Sequence, residues 1–102
     1  MLRRGLLSGS LPFVVYVLRN RATGKRYVGH TEDLRRRLAE HNDPSHNPRK
    51  HTSRNPGPWD LVHEEQFETR SQAMRRERWL KSGKGREWLN RSIGRASPPQ
   101  AD

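Results

Sequence analysis

Phe13-Val14-Val15-Tyr16-Val17-Leu18 is an unbroken apolar run, and it constrains this chain more than any other feature. β-Branched and aromatic residues fill it, Pro12 and Asn20 bound it, and no polar residue alternates through it. Such a run predicts a strand buried on both faces. Layers must therefore cover it from above and below. Only 29% of the 102 residues are apolar, so the core is small and built from a few well-patterned segments of one domain.

Residues 1–11 read as a flexible basic leader, 12–91 as the folded domain and 92–102 as a disordered tail. Asn20 to Lys25 carries turn chemistry, with Gly24 able to take positive φ. Arg26-Tyr27-Val28-Gly29-His30 then returns as the second strand of a hairpin. Gly29 weakens a strand, which predicts that a backbone or a ligand comes close there. Thr31 is a suitable N-cap, followed by Glu32 and Asp33 at the positive end of a helix dipole. That helix is expected from Glu32 to His41. Asn42 to Pro58 reads as a long basic loop and Trp59 to Phe67 as a third strand. Thr69 and Gln72 form a capping box that opens a helix to Leu80, stopped by Ser82-Gly83. A short further helix covers Arg86 to Asn90.

Twenty-one Lys and Arg oppose eleven Asp and Glu, a net charge of +10. This excludes an acidic disordered solvator and a neutral metabolite enzyme with no polyanion nearby. Clustered cations displace condensed counterions, so nucleic acid is the expected partner and an anionic membrane surface the weaker one. No apolar run approaches the ~20 residues needed to span a bilayer. With no cysteine, disulfides, Cys-containing zinc sites and thiol nucleophiles are absent. Met1 to Leu7 faintly resembles a signal peptide, but Ser8-Gly9-Ser10 interrupts it, and the protein reads as cytoplasmic.

Helical projection singles out two charges. With Leu34 at 0°, Leu38 falls at about 40° and Arg37 at about −60°, on the flank of the apolar stripe. Arg35 and Arg36 point more toward water. With Ala73 at 0° and Leu80 at about −20°, Glu77 sits at about 40°, inside the stripe. A buried carboxylate is expensive unless paired or metal-bound. One reading is a buried Arg37–Glu77 salt bridge that only holds two helices together. The other places both in a cleft, with Glu77 on a divalent metal and Arg37, whose planar fork matches phosphate oxygens, facing a phosphate.

Tyr16 and Tyr27 lie at similar distances from the hairpin turn and can be neighbours, either as core aromatics or as phenols beside an attacking water. His30, at the strand end beside Gly29, is a candidate proton carrier. His41, His46 and His51 recur every five residues, but a proline-rich loop gives them no fixed geometry, so zinc is the weaker reading.

Val14-Val15-Tyr16 followed by Tyr27-Val28-Gly29 resembles the paired signature of the GIY-YIG nuclease superfamily. The segments from Thr31 to Asn42 and from Phe67 to Glu77 follow in the family's order, so the resemblance covers Pro12 to Asn90. The small single-domain bacterial members are the most similar group. Val14 replaces the first signature glycine. The resemblance implies an α+β fold, a small three-stranded and mainly antiparallel sheet flanked by helices in the order β-β-α-β-α(-α). It implies divalent-metal-dependent endonucleolytic hydrolysis of phosphodiester bonds. Tyr16 and Tyr27 fall on the signature tyrosines, Arg37 on the phosphate-stabilising arginine and Glu77 on the metal-binding carboxylate. His41 and His30 fall beside the phosphate and the second signature, and Asn90 lies at a plausible distance for a family asparagine.

The expected cofactor is Mg²⁺ or Mn²⁺ on Glu77, and the expected substrate nucleic acid, DNA ahead of RNA, cut with low sequence specificity. Arg36, Arg49, Lys50, His51 and Arg54 hold its backbone. A monomer is expected, without membrane association. Two rivals remain: a non-catalytic nucleic-acid binder on the same scaffold, and an accessory subunit whose Trp79 and Trp88 face a partner protein.

Overall fold

Phe13–Asn20 forms β1, the middle strand of a three-stranded sheet ordered β2-β1-β3, with β2 at Arg26–Thr31 and β3 at Trp59–Phe67. The computed structural model describes residues 11–43 and 58–94. Both neighbours run antiparallel to β1. Being central, the apolar run is covered on both faces, as its lack of alternation requires. Three helices complete the order: α1 (Leu34–His41), α2 (Arg70–Lys81) and α3 (Gly83–Ile93). The observed order is thus β-β-α-β-α-α, the α+β class expected.

Alternation along the strands divides the core in two. On one face Val14, Tyr16, Leu18 and Trp59 pack with Tyr27, Leu61 and the α1 residues Leu34 and Leu38. On the other, Val15, Val17 and Val28 meet Ala73 and Leu80 of α2 and Leu89 of α3. Asn20 closes the hairpin by accepting from the backbone N–H groups of Ala22 (2.9 Å) and Thr23 (3.0 Å), and Gly24 takes a φ of 78°.

Three helix boundaries differ from expectation. Asp33, not Thr31, caps α1, its Oδ1 accepting from the Arg36 amide at 3.1 Å. Thr31 is still paired with Val14 in the sheet, and its hydroxyl accepts from the Asp33 amide at 3.0 Å. Glu32 therefore stays outside the helix and pairs with Arg70. The capping box of Thr69 and Gln72 forms as expected. Ser82 ends α2 and also caps α3, which makes the last helix longer than Arg86 to Asn90. Glycine at 83 therefore opens a helix as well as following one. Residues 44–57 of the long loop, with His46, Arg49, Lys50, His51 and Arg54, lie outside the described residues, as do residues 1–10 of the leader. Among the described residues no helix is long and apolar enough to cross a membrane.

Candidate active site

Gly29 stands opposite Tyr16 in the β1–β2 register. A Cβ at position 29 would lie 2.7 Å from the Tyr16 hydroxyl and 3.0 Å from Cε1 of Tyr27. The missing side chain admits two phenol rings rather than a backbone or a ligand. The rings sit 6.2 Å apart, centroid to centroid. The Tyr16 hydroxyl shares a 2.8 Å hydrogen bond with Nε2 of buried His41 at the end of α1, and the His41 ring lies 4.6 Å from that of Tyr27. Burial pushes the Tyr16 phenol up to about 12, and the neighbouring Tyr27 and Glu77 add to the rise against the opposing pull of Arg37.

Arg37 belongs to this cluster. Its Nη1 donates to Oε1 of Glu40 at 2.5 Å, and the Tyr16 phenol lies near enough to act on its charge. Burial works against its charge, but Glu40 and the nearby Tyr16 phenol outweigh it and hold the guanidinium above its ordinary range. The Arg37–Glu77 salt bridge does not form. Arg37 pairs within its own helix, whereas Glu77 comes from α2 on the opposite face of the sheet.

Strand alternation places His30 on that opposite face. Its Nδ1 donates to Oε1 of Glu77, while Nζ of Lys81 donates to Oε2 at 2.6 Å. Burial raises the Glu77 carboxyl, but the bonds from His30 and Lys81 outweigh it, leaving the group ionised more readily than a free glutamate. A cavity of about 200 Å³ opens beside it, lined by His30, Met74, Glu77, Arg78 and Lys81. Two half-sites therefore approach from opposite faces of the edge strand β2. Tyr16, Tyr27, Arg37 and His41 stand on one side, His30 and Glu77 on the other. They are close enough that the Glu77 charge acts on the Tyr16 phenol.

Residues 12–90 match the GIY-YIG catalytic domain. The chain belongs to the GIY-YIG family. It is also 43% identical over 67 residues to a UPF0213 protein of Halobacterium salinarum, a span covering 66% of this chain and 82% of that protein. No solved structure matches. GIY-YIG proteins form a nuclease family whose members generally use divalent metals.

Glu77 is the readily ionised carboxylate that lines the smaller cavity. Among the described residues no three His, Asp or Glu side chains gather around one point. A lone ionised carboxylate suits Mg²⁺, which keeps several waters and takes substrate oxygens, and it is too few ligands for structural zinc. Asn90 lies on α3, and its side-chain oxygen is buried without a hydrogen-bond partner.

Arg36 is exposed on α1 and pairs with Asp33 and Glu40. Trp79 and Trp88 pack edge-to-face at 6.3 Å with the Arg76 guanidinium over both rings. Sequence reasoning overlooked Glu40 and Lys81. Both stand at helical spacing from a flagged charge, three residues after Arg37 and four after Glu77, and that spacing was the available signal.

Proposed function

We propose that this GIY-YIG protein is a divalent-metal-dependent endonuclease that hydrolyses phosphodiester bonds in nucleic acid, DNA ahead of RNA, with low sequence specificity. One observation carries the reading: an ionised carboxylate and a guanidinium–phenol cluster stand on the two faces of the edge strand β2, near enough for the Glu77 charge to act on the Tyr16 phenol. A pure phosphate binder gains nothing from a carboxylate there.

Each side chain has a task in this reading. Glu77 would hold Mg²⁺ or Mn²⁺, and the bound ion supplies Lewis-acid charge to the phosphate. Arg37, fixed by Glu40, meets the negative charge that grows on the phosphoryl oxygens. Tyr16 stays a neutral phenol tied to His41, so it positions Arg37 and does not act as a base. His30 gives its Nδ1 proton to a hydrogen bond with Glu77, leaving Nε2 to accept a proton from water. Tyr27, packed at a tilt against His41, orients that water. The water oxygen bonds to phosphorus, the bond to the leaving oxygen breaks, and the leaving oxygen is protonated from solvent. Arg36 and the basic loop of Arg49, Lys50, His51 and Arg54 grip the backbone.

One observation favours the rival binder: both Glu77 oxygens already meet cationic or N–H donors within the chain. A single experiment separates the two readings. Labelled duplex, branched, flapped and single-stranded DNA and RNA are incubated with Mg²⁺ or Mn²⁺ and wild type, Glu77→Gln or Arg37→Ala protein. Cleavage by wild type that falls roughly a hundredfold or more in both variants supports the nuclease. Cleavage that persists in Glu77→Gln overturns the metal site, and binding without cleavage favours the rival.

A further inference from the structure

A second cavity, of about 300 Å³, opens beside Glu77 between β2 and the junction of α2 with α3. Val28, Leu80 and Leu89 form its apolar lining, and Arg26, Lys81 and Arg86 supply three cations. Lys81 also lines the Glu77 cavity, so the two spaces share a wall.

The two arginines are anchored by main-chain carbonyls. Arg26 donates to the carbonyls of Gly94 (3.2 Å) and Arg86 (3.4 Å), and Arg86 donates to that of Lys81 at 2.7 Å. Among the described residues neither forms a salt bridge with a carboxylate. Their positive charges are therefore held together without an anion, although each guanidinium keeps N–H groups to spare. Burial lowers the Arg26 pKa, and the like charges of Arg19 and Arg86 lower it further. A chain gains little from this arrangement unless an anion enters.

We propose that this pocket is a phosphate subsite, in which Arg26 and Arg86, with Lys81 at the shared wall, hold a backbone phosphate adjacent to the one at Glu77. It rests on the nucleic-acid reading above but does not need cleavage. The planar forks of two fixed arginines suit phosphate oxygens, and the apolar lining accommodates the sugar.

The test is metal-free binding of a labelled oligonucleotide across a salt series, using full-length wild type, Arg86→Gln, Arg86→Lys and Arg35→Gln. Arg35 is exposed on α1 and serves as the equal-charge control. The subsite predicts roughly tenfold weaker binding by Arg86→Gln, with a salt slope lower by about one phosphate contact. Arg86→Lys recovers part of the loss, Arg35→Gln loses less than Arg86→Gln, and inorganic pyrophosphate competes with the oligonucleotide. Equal losses in Arg35→Gln and Arg86→Gln, or unchanged binding by Arg86→Gln, overturn the proposal. So does a wild type that binds no oligonucleotide. Tight, Arg86-dependent binding by a protein that cuts nothing sustains the subsite while refuting the nuclease.

Discussion

The Tyr16 hydroxyl and Nε2 of His41 share a 2.8 Å hydrogen bond across 25 residues of sequence, joining the central strand to the end of α1. That bond fixes one wall of the candidate site. Arg37, one helical turn before His41, is held by Glu40 and acts on the same phenol.

Tyr16→Phe removes the hydroxyl that bonds His41 and acts on the Arg37 charge, and leaves the ring in the core. Cleavage is expected to drop at least tenfold, with substrate binding little changed, as measured by single-turnover kinetics. The pH dependence follows from the raised phenol. Its folded pKa of about 12 exceeds its ordinary value of 10.0, so the unfolded chain loses this proton first. Stability is therefore full below pH 10 and declines toward pH 12. Denaturant titrations should show a shallower alkaline decline in Tyr16→Phe. Identical slopes would mean that the buried phenol does not titrate as described.

Gly29→Ala places a methyl 2.7 Å from the Tyr16 oxygen. The ring is buried and tied to His41, so it cannot swing away freely. A loss of about 1–3 kcal/mol is expected by denaturant unfolding. Activity should fall more than stability predicts, because the displaced hydroxyl carries His41 with it. Full activity in Gly29→Ala would show that the close approach has no bearing on the site.

Gly85 supports the fold at a distance from the chemistry. A Cβ there would fall 2.0 Å from the Trp79 carbonyl oxygen and 2.5 Å from the Leu80 Cα, both backbone atoms. Gly85→Ala must therefore push α3 away from α2. The expected cost is about 3 kcal/mol, or roughly 12–24 °C in Tm for a domain of this size. Calorimetry showing an unchanged Tm would contradict this packing.

Glu65 accepts from Arg76 at 2.8 and 3.0 Å and from Nε2 of His63 at 2.8 Å. Burial raises its carboxyl, but Arg76 and then His63 outweigh it, and the pKa lies below its ordinary 4.5. A depressed carboxylate contributes stability above pH 4.5 that disappears as pH falls through the folded value. Glu65→Gln should be less stable than wild type at neutral pH and converge with it in acid. A constant difference between the two across that range rules out the linkage.

Particular residues show why some of this was readable in the sequence. Phe13 to Leu18 could only be a central strand, because no other position covers both faces. Thr69 and Gln72 announce their helix because a capping box is made of neighbours in sequence. Glu77 stood out because a carboxylate in an apolar stripe needs a partner. Helical projection could not name that partner, since it says which way a side chain leans but not which face of the sheet receives the helix. Thr31 was misassigned as a cap because it still belongs to the sheet, where its pairing with Val14 depends on distant strand register. The Arg26–Arg86 pocket joins residues sixty positions apart, beyond the reach of local pattern.

Ser82 closes one helix with its amide, bonded to the Trp79 carbonyl at 2.9 Å, and opens the next with its hydroxyl, which accepts from the Gly85 amide at 3.2 Å. The interval from Glu77 to Arg86 is therefore a ruler without slack. Adding one residue at this hinge would turn the final helix by about 100° about its own axis, swinging the guanidinium out of its pocket while the acid stayed put. An insertion here would part the acid from the arginine pocket in a single step.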